Sequence, residues 1–372
     1  MGSDIVLYIV IVTALAFDFT NGFHDTANAI ATSISTRAMS PRAAVAMSSV
    51  FNFVGAFISL EVAATVASGI VNAGAVTPTV VFGGLIGAIA WNLATWWFGL
   101  PSSSSHALIG GMIGSVFVAD GASAINGDGI VEKVIIPALI APTLAFAVAG
   151  VSILIAYRVV GRQRPGVVNR GYRLGQIVTG SMFSLAHGTN DAQKTMGIIT
   201  LALIANGNLS ANDFHVPTWV VICSATAISL GTYSGGWRII RTMGSRIIKM
   251  DPAQGFSAQG AGAAVVLTAS HLGFPLSTTH VISGGVMGAG AAKRLSAVRW
   301  GVAGNIALAW LLTLPCSAFI GGLAYGLSSI FGSDALGVIL VALLVIGLIA
   351  AAFGTRVRRG PALTTPPAGA EA

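Results

Sequence analysis

Charge is what this chain has least of: 8% of its 372 residues are Asp, Glu, Lys or Arg, where a soluble domain carries about a quarter. So few charges cannot make a water-facing surface, and a soluble globular protein is excluded. Strand-like alternation is also missing. A lipid-facing barrel needs segments of roughly ten residues that alternate in polarity, and the apolar runs here are continuous. Only two cysteines occur, Cys223 and Cys316, both inside apolar runs. A cysteine in that setting acts as a small hydrophobe, so no disulfide or redox chemistry follows. Asp4 is the sole charge ahead of the first apolar stretch, with no Lys or Arg before it. The pattern of a cleaved signal peptide is therefore absent, and the first helix is expected to remain.

What the chain has is apolar length. Hydrophobic residues make up 54% of it, in runs over 5–17, 43–71, 80–100, 134–160, 216–233, 301–331 and 335–353. A helix needs about 20 apolar residues to cross a hydrocarbon core, and this length predicts an all-α, polytopic membrane protein with about 10–12 membrane segments. The formal charge of +7 could suggest nucleic acid, but the basic residues form short clusters between apolar runs, without interleaved aromatics. The clusters are Arg158–Arg173, Arg238–Lys249, Lys293–Arg299, Arg356–Arg359 and the pair Arg37 and Arg42. They fit loops on the cytoplasmic side; no nucleic-acid partner is expected. If every run crossed once, the clusters would not all fall on one side, which points to broken or re-entrant segments and leaves orientation open. Residues 360–372 hold Pro, Thr, Gly and Ala without apolar period and are expected to be a disordered tail.

The chain also repeats itself. Asn21-Gly22-Phe23-His24-Asp25-Thr26-Ala27-Asn28 is echoed by His187-Gly188-Thr189-Asn190-Asp191-Ala192-Gln193-Lys194, at an offset of 166 (188 − 22 and 191 − 25). A second pair follows: Pro101-Ser102-Ser103-Ser104-Ser105-His106 with Gly110, Gly111 and Gly114, and Pro275-Leu276-Ser277-Thr278-Thr279-His280 with Gly284, Gly285 and Gly288, at an offset of 174 (275 − 101 and 280 − 106). Two motifs in the same order at nearly equal offsets mean a duplicated unit. The expected division is a first transmembrane repeat over 1–157, a basic linker loop over 158–173, and a second repeat over 174–359. Duplicated halves are a frequent design of secondary transporters, which hold substrate at the repeat interface, where Gly or Pro interrupts matching segments. Inverted repeats with broken helices and re-entrant hairpins are expected on that basis.

Asp18, Asp25 and Asp191 lie in or beside apolar segments, where a charge at a helix centre costs about 2.5–3.5 kcal/mol. The role expected of all three is to bind a coupling cation, as a proton carrier or an oxygen ligand; for Asp18 a helix cap at the membrane interface is the plainer alternative. The hydroxyl runs suit a different task. Backbone N–H groups at a helix start, hydroxyls and the positive end of the helix dipole make an anion cradle. Ser102, Ser103, Ser104 and Ser105 would supply one cradle, and Ser277, Thr278 and Thr279 the other, closing on one tetrahedral oxyanion; ordinary capped turns are the bland alternative. Two roles are open to Lys194: it stands one turn from Asp191 and can neutralise it, or it can offset the charge of the anion. His24, His106, His187 and His280 flank the motifs without metal-ligand spacing and are expected as hydrogen-bonding or proton-sensitive groups. Glu61, without a repeat partner, is a candidate acid behind the site. Inward movement of one negative charge against 100 mV costs about 2.3 kcal/mol, so anion uptake requires accompanying cations: sodium ions, protons, or a metal already bound to the anion.

These four motifs, in this order, resemble the PiT family of inorganic phosphate transporters. Gly22-Phe23-His24-Asp25-Thr26-Ala27-Asn28 and Gly188-Thr189-Asn190-Asp191 are similar to its duplicated signature, and the two Pro-led Ser/Thr segments to its hairpins. The resemblance spans both halves. It implies two inverted helical repeats, a homodimer in a bacterial cytoplasmic membrane, and phosphate held between signatures and hairpins, by Asn28, Ser103, Ser104, Ser105, Asn190, Lys194, Ser277, Thr278 and Thr279. No catalytic residue or resident cofactor is implied. The second signature runs Ala192-Gln193-Lys194 where the first has Asn28. That departure resembles the bacterial low-affinity branch and favours protons over a symmetric pair of sodium ions. Rival readings are a sulfate permease of the same architecture, a sodium-coupled symporter, an intramembrane hydrolase using Ser105 or Thr279 with His106 or His280, and a membrane scaffold. Phosphate can donate hydrogen bonds to carboxylates and sulfate cannot, which favours phosphate. The duplicated serines lack a single nucleophile with its own oxyanion hole, which disfavours hydrolysis.

Overall fold

The structure is a computed structural model that describes residues 2–69, 73–210, 214–332 and 335–357. Among the described residues all regular structure is helical, and the expected tail over 360–372 lies outside them. In chain order the helices are α1 (Gly2–Ser35), α2 (Pro41–Gly55), α3 (Glu61–Ser68), α4 (Pro78–Phe98), α5 (Ser104–Asp120), α6 (Gly127–Ile130), α7 (Ile136–Val160), α8 (Pro165–Ala205), α9 (Thr218–Ser234), α10 (Trp237–Arg241), α11 (Pro252–His271), α12 (Thr278–Lys293), α13 (Trp300–Ser329) and α14 (Ala335–Val357). Among the described residues five helical stretches are long and apolar enough to cross a membrane: Asp4–Ser35, Pro78–Phe98, Gly127–Val160, Trp300–Ser329 and Ala335–Ala352.

Local sequence sets the boundaries. Ser40, Thr77 and Asp251 cap α2, α4 and α11 through their side-chain oxygens, each with Pro as the first helical residue, where its missing N–H costs nothing. Gly99 ends α4 in the left-handed region at φ 67°, a conformation that strains any residue with a Cβ. The basic segment 158–173, expected as a loop, is mostly helical: α7 continues to Val160 and α8 starts at Pro165. Apart from Gly161–Arg164, these charges ride on helix ends.

The repeat is visible as matched elements. By sequence order α1, α2, α4, α5 and α7 correspond to α8, α9, α11, α12 and α13, and the halves interlock. Helix α1 packs on α9 and α2 on α8, while α13 covers α4 and α5, and α7 covers α11 and α12. Glycine permits the close crossings. A Cβ on Gly114 would stand 2.6 Å from Ala318 Cα, and one on its counterpart Gly288 would stand 2.7 Å from Phe146 Cα. Along the central pair, Asp25 faces His187, Ser33 faces Gly180 and Thr36 bonds Gln176. Advancing along α1 thus retreats along α8, so the two signature helices run antiparallel.

Polarity is distributed opposite to a soluble protein's. Leu139, Leu144, Leu154, Leu311, Phe319 and Leu343 are exposed on α7, α13 and α14, whereas the carboxyl, amide and hydroxyl groups of the signatures and hairpins are buried. Three basic clusters share one end of the molecule. Tyr157 donates to Asp251 at 2.8 Å, Lys293 pairs with Asp251 at 3.2 Å, and Arg299 donates to the Ser245 carbonyl at 3.3 Å. Arg37 lies at the same end, since the neighbouring Ser35 approaches Gly244.

Candidate functional site

The site is built where α1 and α8 meet the starts of α5 and α12. Neither hairpin begins its helix with proline. Pro101 and Pro275 sit in extended segments three residues ahead of the first helical residues, Ser104 and Thr278. Ser103 and Ser277 are the caps, accepting from His106 N at 3.1 Å and from His280 N at 3.3 Å. The next two hydroxyls on each helix, Ser104 and Ser105, Thr278 and Thr279, are left to face the signatures. The two helix starts oppose each other, with the rings of His106 and His280 edge-on at 4.7 Å and His280 stacked on Trp310 at 4.0 Å.

Contacts across this centre follow the repeat. Asp25 accepts from Ser104 of its own half at 2.7 Å, and Asp191 accepts from Thr278, the counterpart of Ser104, at 3.2 Å. Asn28 crosses to the other half, donating to Thr279 at 2.9 Å and Thr278 at 3.3 Å. Lys194, its counterpart, crosses the opposite way to Ser105, and also bonds the Asp191 carboxylate and, at 2.8 Å, the Leu276 carbonyl. Thr279 donates in addition to Asp25 at 3.4 Å. Carboxylates and hydroxyls from both halves therefore share one buried volume.

His187 stands between the carboxylates, its Nε2 3.0 Å from Asp191 and 4.0 Å from Asp25. Its Nδ1 contacts Asn52 Oδ1 at 3.1 Å, and Asn52 Nδ2 is committed to Thr232 at 2.7 Å. That amide orientation makes Nδ1 the donor, so Nε2 points a lone pair or a second proton at two acids. Asp25, His187 and Asp191 each offer an atom within 4.8 Å of the others, a donor set that could also hold a divalent cation. His24 reaches Asp25 at 2.6 Å through Nδ1 and Thr95 at 3.1 Å through Nε2.

Other expected residues lie apart from the cradle. Ser102 donates to Thr95 at 2.8 Å, in the wall behind His24. Asn190 turns toward α11, donating to Ser270 at 2.9 Å and the Phe274 carbonyl at 3.2 Å. Asp18 is fully buried beside Thr195 and within electrostatic reach of Asp191 and Lys194. It caps no helix end, standing in the interior of α1. Glu61 is exposed in the first turn of α3 and takes no part. Asn52, Thr95, Thr232 and the Leu276 carbonyl are the members that the motifs did not single out; one amide and two hydroxyls, isolated in apolar runs, were the only trace.

Residues 21–321 match the sequence profile of the phosphate transporter family. The chain belongs to this family. A protein of Mycobacterium tuberculosis named as a probable low-affinity inorganic phosphate transporter is 50% identical over 356 residues, 96% of this chain and 85% of the relative. One of the same name from Bacillus subtilis is 46% identical, covering 86% of this chain and 96% of the relative. Among solved structures, a sodium-dependent phosphate transporter matches with a TM-score of 0.78 and 25% identity, over 86% of this chain and 98% of that one. Family and relatives are transporters, not enzymes, so the hydrolase reading falls. The family match spans both signatures and both hairpins, so every repeat-related contact above lies within it.

Proposed function

We propose that this protein is a symporter that brings inorganic phosphate across a bacterial cytoplasmic membrane together with positive charge, protons first among the candidates. The observation that carries the reading is the charge balance of the buried centre: three carboxyl groups, Asp18, Asp25 and Asp191, against one ammonium, Lys194. A phosphate dianion added to that set is tolerable only if cations or protons enter with it. His187, aimed at both acids, supports a shared proton at this point. In this reading Ser104, Ser105, Thr278, Thr279 and Asn28 hold the phosphate oxygens, with the first N–H groups of α5 and α12, which have no partner within their own helices. Ser103 and Ser277 hold those helix ends in place. Asp25 and Asp191 accept from the protonated phosphate oxygen, which a sulfate lacks.

The antiparallel run of α1 and α8 supports inverted halves, an arrangement that lets the same site open to either side. The shared basic end supports a cytoplasmic placement for the 37, 158–173, 245 and 293–299 region. Sodium coupling is the second reading, favoured by the sodium-dependent transporter among the matching structures. The experiment is radiolabelled phosphate uptake into proteoliposomes with proton and sodium gradients imposed separately and sulfate as competitor. Uptake driven by the proton gradient and indifferent to sulfate is expected; sulfate transport at a comparable rate, or no phosphate transport, overturns the reading.

A further inference from the structure

Lys194 sits in a coordination sphere that would suit a metal ion. Its Nζ is bonded by a carboxylate oxygen of Asp191 on α8, a hydroxyl oxygen of Ser105 on α5 and the backbone carbonyl of Leu276 in the second hairpin. The side chain is 1% exposed. Three hard oxygen donors of three chemical kinds, from three separate elements, converge on one positive point; small hard cations select such a set. The repeat supplies an internal control. At the corresponding place in the first half stands neutral Asn28, which bonds Thr278 and Thr279 but not Asp25. Asp25 therefore has no ammonium beside it, and its partners are His24, His187, Ser104 and Thr279.

From this asymmetry we infer that the Lys194 ammonium is a tethered cation, filling from within the chain the position at Asp191 that a dissolved alkali ion would otherwise occupy. The inference deepens the proposed symport and rests on it for its transport consequence. One carboxylate, Asp191, is then permanently compensated. The mobile coupling cation is then left to Asp25 and the His187 that bridges the two acids, and one fewer ion moves per phosphate than in a transporter with two equivalent acids. A neutral side chain at 194 should vacate the sphere and open it to sodium.

The test uses the full chain in proteoliposomes, as wild type, K194N, K194A and K194R, with phosphate uptake measured in sodium and in choline at equal pH. The ratio of uptake in sodium to uptake in choline should rise about tenfold in K194N or K194A relative to wild type, and stay at the wild-type value in K194R. An unchanged ratio in the neutral variants overturns the inference. Thermal unfolding of the detergent-solubilised variants covers the case of lost transport: sodium should raise the melting temperature of K194N above its value in choline, and should not do so for wild type. A K194N protein indifferent to sodium in both measurements refutes the tethered cation. Absence of phosphate uptake by the wild type would instead remove the proposed function, and the sodium-dependent melting of K194N would still decide this inference.

Discussion

Asn28 on α1 donates to Thr279 on α12 at 2.9 Å, binding the signature of one half to the hairpin of the other. The same cross-brace recurs in reverse between Lys194 and Ser105. Interlocking of this kind places the proposed substrate site at the repeat interface. Removing the Asn28 amide leaves two hydroxyls, Thr278 and Thr279, without their donor.

Asn28→Ala should therefore weaken phosphate half-saturation by about fivefold, the scale of one net hydrogen bond of about 1 kcal/mol. Initial-rate uptake against phosphate concentration checks this. A variant with wild-type half-saturation would show that the brace is only structural.

Asp25→Asn and Asp191→Asn should both abolish coupled uptake, yet differ in stability. Asp191→Asn strands the Lys194 ammonium in the protein interior, a loss of about 3–5 kcal/mol, whereas Asp25 has no ammonium partner. Thermal melting in detergent should show the larger fall for Asp191→Asn. The double variant D191N/K194M should recover stability but not transport. Equal melting of the two single variants would contradict the assigned pairing.

Ser104→Ala and Thr278→Val remove corresponding hydroxyls and should raise the phosphate half-saturation by similar factors, about tenfold each, the lower end of the range for a hydrogen bond to a charged group. Ser102→Ala, in the wall behind His24, should change it less than twofold by the same scale. Phosphate binding by the three purified variants separates these outcomes.

The two signature glycines serve a crossing. A Cβ on Gly22 would lie 2.9 Å from Thr232 N, and one on Gly188 would lie 2.7 Å from Asn52 Cα. Gly22→Ala and Gly188→Ala should each cost about 1–3 kcal/mol through overpacking of α1 on α9 and α2 on α8. Gly260→Ala, whose new methyl would find its nearest neighbour at 3.5 Å, should be neutral or mildly stabilising. Melting temperatures of the three proteins compare them directly.

Duplication made much of this centre readable in the sequence. Asp25 with Asp191, and Ser104 with Thr278, stood out because the same chemistry recurs at constant spacing, and the fold sets each hydroxyl on the acid of its own half. Asn190 illustrates the limit. It neighbours Asp191 in sequence, but a helix turns about 100° per residue, and its amide ends up on Ser270. Asn52 and Thr232 escaped notice because a lone polar group in an apolar run has no period, and their meeting depends on α2 and α9 approaching α8 and α1. The Leu276 carbonyl has no sequence signature at all. Packing of α13 over the first half's hairpin was equally hidden, because it depends on three-dimensional interlocking of elements more than 180 residues apart.

The central claim is that both halves close on a single phosphate, and equilibrium binding of radiolabelled phosphate to the purified protein addresses it most directly. One phosphate per chain is expected, with Ser104→Ala and Thr278→Val each weakening that one site. Two phosphates per chain, with each substitution removing one and sparing the other, would contradict it.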